Sequence, residues 1–349
     1  MTSFIGLDLQ PERASAAALE RDLSVVARSG AAVAGGYEET GSGVRCVPAA
    51  EWIRAGGFAL QELYGELPLK SRKLWGVGLS GPDGWIALDP EFEPLCDVRL
   101  PPVGGLLDDL DGWLERNSRL RARISLVLSP KDLFRFMMSG AMAADTTSVC
   151  AAGLLAAGKR DWDRKRLEEA DLPTRWFPPV FQSSAATSRL HQEGMRQSGL
   201  PGSPWLVAGS TSRLASMVAS ADLRSQKLWL PADEGPPVYA IGAARDISDP
   251  VIPPGYRLSE SPIDDHLLLL RKVPCPPGFG SGEIQAELAS GGYEVSGVET
   301  LRADAELGAA ALAAIGSGIM KSWDRYYALL AEPPTAAAAD QEEDGAGGD

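Results

Sequence analysis

Histidine occurs twice and cysteine four times in 349 residues, and Cys46, Cys96, Cys150 and Cys275 form no C-x-x-C pair. That scarcity excludes a thiolate zinc site and a disulfide framework, leaving free thiols in a reducing compartment as the expectation. Basic residues are also short: 33 Lys and Arg stand against 47 Asp and Glu, a formal charge of -14. Such a chain offers no basic patch to nucleic acid or to anionic lipid. No apolar run approaches a membrane span, and Met1-Thr2-Ser3 lacks the charged start and apolar centre of a signal peptide, so a cytoplasmic protein is expected. His191 and His266 have no acidic or Ser partner at motif spacing, which assigns them structural or surface roles. A G-x-S-x-G hydrolase elbow is absent as well.

What is present is an α/β alternation with enough apolar content, 44%, for a sizeable core. Phe4, Ile5, Leu7 and Leu9 bracket Gly6 and Asp8 in a short strand-like run, with Asp8 near its carboxyl end, the edge where ligands gather in open α/β sheets. A turn at Arg21-Asp22 leads to a second strand over 24–33, and residues 49–66 have helical spacing. Leu74 to Gly81 reads as a strand whose glycines suggest close backbone approach, followed by Pro82-Asp83-Gly84 and a strand from Trp85 to Leu88. Residues 106–117 read as a helix and 124–128 as a strand, and Ser129-Pro130-Lys131-Asp132 as a helix start. Trp205 to Gly209 is another buried strand, turning through Ser210-Thr211-Ser212 into a helix. Residues 227–230 and 237–241 form a hairpin with the acidic connection Pro231-Ala232-Asp233-Glu234-Gly235. The Ala- and acid-rich end, 331–349, reads as a disordered tail.

The order of Gly6-Leu7-Asp8, Gly78-Leu79-Ser80-Gly81, Leu128 to Asp132, Ala144-Asp145, Arg160-Asp161-Trp162, Gly278-Phe279-Gly280-Ser281 and the small-residue stretch 306–318 resembles the FGGY carbohydrate kinases, the family of xylulokinase and glycerol kinase. The resemblance implies an α/β chain of the actin-like ATPase (ribonuclease H-like) two-lobe fold. It divides into a kinase-like lobe over 1–225, a reduced second lobe over 226–330 with one apolar strand candidate at 266–270, and the tail. It also implies that MgATP and a sugar or polyol meet between the lobes, with phosphoryl transfer to an alcohol group.

Four departures from the family pattern set this chain apart. Gln10-Pro11 follows Asp8 where the family places Gly-Thr against phosphate. Pro82-Asp83-Gly84 replaces a Gln-Met-His-Gly stretch that touches the sugar. Ala208-Gly209-Ser210-Thr211-Ser212 stands where the family supplies its Asp base, and Asp222 is about three helical turns further on, roughly 15 Å by helix rise. The acidic hairpin connection aligns with the second phosphate loop, where two carboxylates repel a triphosphate.

Two readings follow. One is a pseudokinase without catalytic residue or cofactor, with a binding or regulatory role toward a sugar, a polyol, a protein partner or a second copy of the chain. The other is an active ATP-dependent kinase with Asp8 on the metal, Asp83 as base, Asp233 and Glu234 toward Mg²⁺, and Gly278, Gly280 and Ser281 on the nucleotide.

Overall fold

The apolar run at the N-terminus forms β1 (Thr2–Leu9), buried along nearly its whole length. An unbroken apolar strand of this kind belongs in the middle of a sheet covered on both faces. The computed structural model describes residues 2–331 apart from 103–104, 157–158, 221–226, 232–237, 242–255, 264–267, 273–280, 291–294, 296 and 302–303.

From β1 the chain turns back as β2 (Arg13–Leu19) and β3 (Val25–Ala32), crosses one face as α1 (Ala49–Glu66), and returns beside β1 as β4 (Lys73–Gly81). A smaller unit follows, with β5 (Ile86–Leu88), α2 (Leu106–Arg116), β6 (Leu126–Leu128), α3 (Pro130–Ser139) and α4 (Thr146–Ala151). The sheet is completed by β7 (Ala186–Arg189), β8 (Trp205–Val207) and β9 (Ser210–Thr211), and α5 (Ser212–Ser220) leaves it. Its path is β7-β8-β4-β1-β2-β3, with β9 also on β4. β1, β8 and β9 run parallel to β4, while β2 and β3 are antiparallel.

β2 corrects the expected sequence of elements, in which a single strand follows β1. Its Ala14-Ser15-Ala16-Ala17-Ala18 run has little intrinsic strand preference. It forms because it is hydrogen-bonded on both sides, to β1 and to β3.

The second sheet contains β10 (Lys227–Pro231), β11 (Val238–Ile241), β12 (Tyr256–Glu260), β13 (Leu268–Lys272) and β14 (Gly297–Leu301), with α6 (Ser281–Ser290) before β14. The expected hairpin is present as antiparallel β10 and β11. The strand candidate at 266–270 is found as β13 from Leu268 onward, and β12 is a second strand before 278 that was not expected; with β14 they make a five-stranded sheet of order β12-β13-β11-β10-β14. Two antiparallel neighbours and a parallel return on the first strand repeat the plan of β1, β2, β3 and β4.

The chain then re-covers the first sheet with α7 (Ala305–Gly316) and α8 (Trp323–Ala331). Nearly all of α7 from Gly308 to Ala314 is buried, packed on β1, β4 and α5. Glycine permits the contact: a Cβ on Gly6 would lie 1.7 Å from the Glu306 carbonyl oxygen, and one on Gly78 1.8 Å from that of Ala309. No described helix is long and apolar enough to cross a membrane.

Candidate functional site

The parallel register of β1, β4 and β9 places Asp8 opposite Ser80, and Ser80 opposite Ser210, at one edge of the sheet. Asp8 is only 6% exposed. The Ser80 and Ser212 hydroxyls donate to its Oδ1 at 2.7 and 2.6 Å, and Gln10 Nε2 donates to Oδ2 at 2.9 Å. The same Gln10 amide nitrogen lies 2.6 Å from Ser212 Oγ. Gln10 therefore closes over both partners from the turn that joins β1 to β2, where its own N–H donates to the Arg13 carbonyl at 2.8 Å.

Burial raises the Asp8 carboxyl above the ordinary carboxylate range, and the three hydrogen bonds recover only part of that cost. Glu306, in the first turn of α7, is buried nearby and raised for the same reason, with Arg28 of β3 as its 2.8 Å ion-pair partner and Asp8 adding to the upward shift. A carboxyl with a raised folded-state pKa contributes stability in acid and loses it as pH climbs through that value. Asp8→Asn is thus expected to gain on the parent protein as pH rises from about 4 to 7, its melting temperature moving ahead by a few degrees, because Gln10 can turn its oxygen toward the new NH₂. Calorimetry across that range checks it, and a variant that falls progressively behind with pH contradicts the assignment.

A second buried cluster braces this edge from behind. Lys131 Nζ lies 2.7 Å from Asp132 Oδ1 and 2.6 Å from Asp145 Oδ2, all three side chains at most 1% exposed, and Arg135 joins Asp132 at 2.8 Å. Burial pushes Asp132 up, but Lys131 and Arg135 outweigh it and hold the carboxyl below its ordinary range. Asp145 caps α4 by accepting from the Thr147 and Ser148 N–H groups at 2.9 and 3.1 Å. Thr147 Oγ1 donates to Asp145 and accepts the Thr211 N–H at 3.1 Å, with Ser210 Oγ at 3.2 Å. The ion cluster thereby fixes the turn that delivers Ser212 to Asp8.

Of the residues singled out in the sequence, Asp8 stands at the centre of this site. Asp83 lies elsewhere, lining a cavity with Pro101, Pro102, Ser129 and Ser148. Ser281 begins α6. Gly278, Gly280, Asp222, Asp233, Glu234, His266 and the segment 332–349 lie outside the described residues. His191 caps the short helix Gln192–Ser198, its Nδ1 accepting from the Gly194 N–H at 2.9 Å. Ser80, Gln10, Ser212 and the Lys131 cluster complete the site. In the sequence, Lys131 and Asp132 stood out as a helix start and as part of the resemblance, and no feature of it joined them, or Ser80 and Ser212, to Asp8.

A metal-bound nucleotide fits this arrangement poorly. Both Asp8 oxygens are already held by the chain's own donors, and a carboxylate must turn a free oxygen to a hard cation. Gln10 and Pro11 also provide no run of inward N–H groups for phosphate.

Residues 111–218 match the model of the N-terminal domain of the FGGY family of carbohydrate kinases. A 98-residue stretch is 31% identical to xylulose kinase of Klebsiella pneumoniae, covering 28% of this chain and 20% of that enzyme. The chain therefore aligns in sequence with about a fifth of that relative's length. In structure it is similar to a xyloylose kinase from Brucella ovis, at 16% identity and a TM-score of 0.74 over 90% of both chains. It is likewise similar to Plasmodium falciparum glycerol kinase, at 11% identity and 0.73 over 95% of this chain and 92% of that one. Those likenesses establish the two-lobe actin-like ATPase fold, and the stretch 111–218 is similar to the N-terminal domain of the FGGY carbohydrate kinases.

Proposed function

We propose that this protein is a catalytically silent FGGY kinase-like protein, a binding or regulatory module that keeps the kinase scaffold and does not transfer phosphate. The observation that carries this reading is the hydrogen bond from Ser212 Oγ to Asp8 at 2.6 Å. Family resemblance puts the proton acceptor for the sugar hydroxyl within 208–212. There a serine donates its own proton to a buried carboxylate, and its oxygen is met by the Gln10 amide. General-base removal of a proton is worth about 10²–10⁴ in rate and needs a group able to hold that proton, which an alcohol is not. Closure by Gln10 adds to this by occupying the Asp8 oxygen that a metal would need.

The test is ADP release from MgATP in the presence of xylulose, glycerol and gluconate, the compounds after which the similar kinases are named. Release is expected to stay at the buffer background, with no saturable thermal shift by MgATP. Saturable turnover that Asp8→Ala abolishes would overturn the reading and favour a working kinase built on Asp8.

A further inference from the structure

One edge of the first sheet is β3, which has β2 on one side and no strand on the other. The Val33 N–H donates to the Glu12 carbonyl at 2.9 Å, so Val33 bonds inward, toward β2. Inward residues alternate along an antiparallel ladder, which leaves Ala32, Gly30 and Arg28 with their N–H and C=O groups turned outward. Gly30 is exposed, and having no side chain it exposes backbone.

Such edges are commonly guarded by Lys, Pro, a bulge or a charge facing the seam. β3 holds neither Lys nor Pro, and its one register shift lies at the Val25 end. Its single charge is turned away. Gly6, Ala17 and Arg28 lie in one row across the strands, and the Arg28 guanidinium reaches back along that row to Glu306 at 2.8 Å and Asp304 at 3.0 Å.

The two faces of the sheet beside this edge carry opposite charge. Ser29 Oγ donates to the Ala59 carbonyl at 2.6 Å, so this part of α1 rides on β3. The other flank of α1 is occupied, with the Gln61 amide on the Gln197 carbonyl at 3.2 Å and Gly57 against the same group. Ala55, Ala59, Glu62 and Glu66 form one helical stripe along the flank above the edge. Glu62 and Glu66 are exposed, and neither has an ion-pair partner among the described residues. On the opposite face the Arg13 guanidinium stands over Gly30. A second copy added across a twofold axis would set the same glutamates against each other on one face and the two Arg13 side chains on the other, and like charges facing across strands are unfavourable.

We propose that β3 is a docking edge for an extended cationic segment of a partner protein, added as an antiparallel strand with its Lys or Arg side chains on the α1 face and uncharged residues on the Arg13 face. Main-chain pairing with Arg28, Gly30 and Ala32 holds the segment, and Glu62 and Glu66 select it. The inference goes beyond the silent reading and stands whether or not the chain transfers phosphate.

The probe is a fluorescent peptide, Thr-Lys-Val-Lys-Val-Lys-Thr, titrated with the full chain and followed by anisotropy. In the proposed pairing its Val nitrogens face β3 and its Lys nitrogens face away. Saturable binding is expected, and N-methylation of both Val nitrogens, which leaves every charge in place, is expected to weaken it at least tenfold. Replacing the three Lys by Glu is expected to abolish it. On the protein, Glu62→Gln combined with Glu66→Gln is expected to weaken binding at least twofold. Ala32→Pro, whose lost N–H serves no bond to β2, is expected to weaken it at least tenfold; should that variant fail to fold, the methylated peptide tests the same pairing. Binding that never saturates, a methylated peptide that binds like the unmodified one, or glutamine variants that bind like the parent would each overturn the proposal. A dimer of the free chain that Ala32→Pro dissociates, seen by sedimentation, would give the edge to a second copy and overturn it as well.

Discussion

Lys131→Met is expected to cost about 3–5 kcal/mol at pH 7, the usual consequence of removing one member of a fully buried ion cluster. Two carboxylates lose their shared cation, since Lys131 Nζ lies 2.7 Å from Asp132 and 2.6 Å from Asp145. Arg135 remains on Asp132, but no other ion pair to Asp145 is found among the described residues. Methionine fills a similar volume, so the loss reflects charge more than a cavity. Because Lys131 helps hold the Asp132 pKa down in the parent, that carboxyl contributes stability above its unfolded pKa and loses it in acid. In the variant Asp132 is released from that pull and protonates more readily. The stability gap between variant and parent should therefore shrink on going from pH 7 to about pH 4–5. Urea titrations at the two pH values measure it. A gap that is constant with pH points to packing, and a gap under about 1 kcal/mol means the cluster is not closed as drawn.

The same cluster shows where sequence reasoning reaches its limit. β1, α1, β4, α3 and the turn into α5 were legible because each has a local signature: an apolar run, a helical stripe, a glycine-rich strand, or Ser129 before Pro130. β2 was not legible, because alanine and serine carry no strand signal and its place is set by two neighbours. The strands around β13 were hidden for a related reason, their Pro-rich surroundings breaking the pattern before pairing is considered. At the site, Asp8 could be picked out from its strand end, and the Gln10-Pro11 step could be read as hostile to phosphate. The pairing of Asp8 with Ser212 spans 204 positions, and nothing in either segment announces the other. Burial of Lys131, at 1% exposed, likewise depends on long-range packing, which a motif on a helix start does not disclose.

Gly78→Ala is the second large expectation, about 3 kcal/mol of destabilisation, at the upper end for overpacking. The added Cβ would fall 1.8 Å from the Ala309 carbonyl oxygen, about half an ordinary contact distance of ~3.5–4.0 Å. A backbone carbonyl inside a buried helix cannot swing aside, so α7 as a whole must lift from β4. Lifting it also unseats Ala313 from Gly76 and draws Glu306 away from Asp8, which lies on the strand next to Gly78. The loss should therefore come with a weaker dependence of stability on pH, since less burial means a smaller upward shift at both carboxyls. Gly65→Ala is the matched control: it sits within α1 with nothing inside 4 Å of its new Cβ, and helix propensity predicts a gain of about 0.5–1 kcal/mol. Calorimetry of the two variants against the parent decides the point. If Gly78→Ala proves as harmless as Gly65→Ala, then α7 does not lie on the β1–β4 face, and the burial that shapes Asp8 has another source.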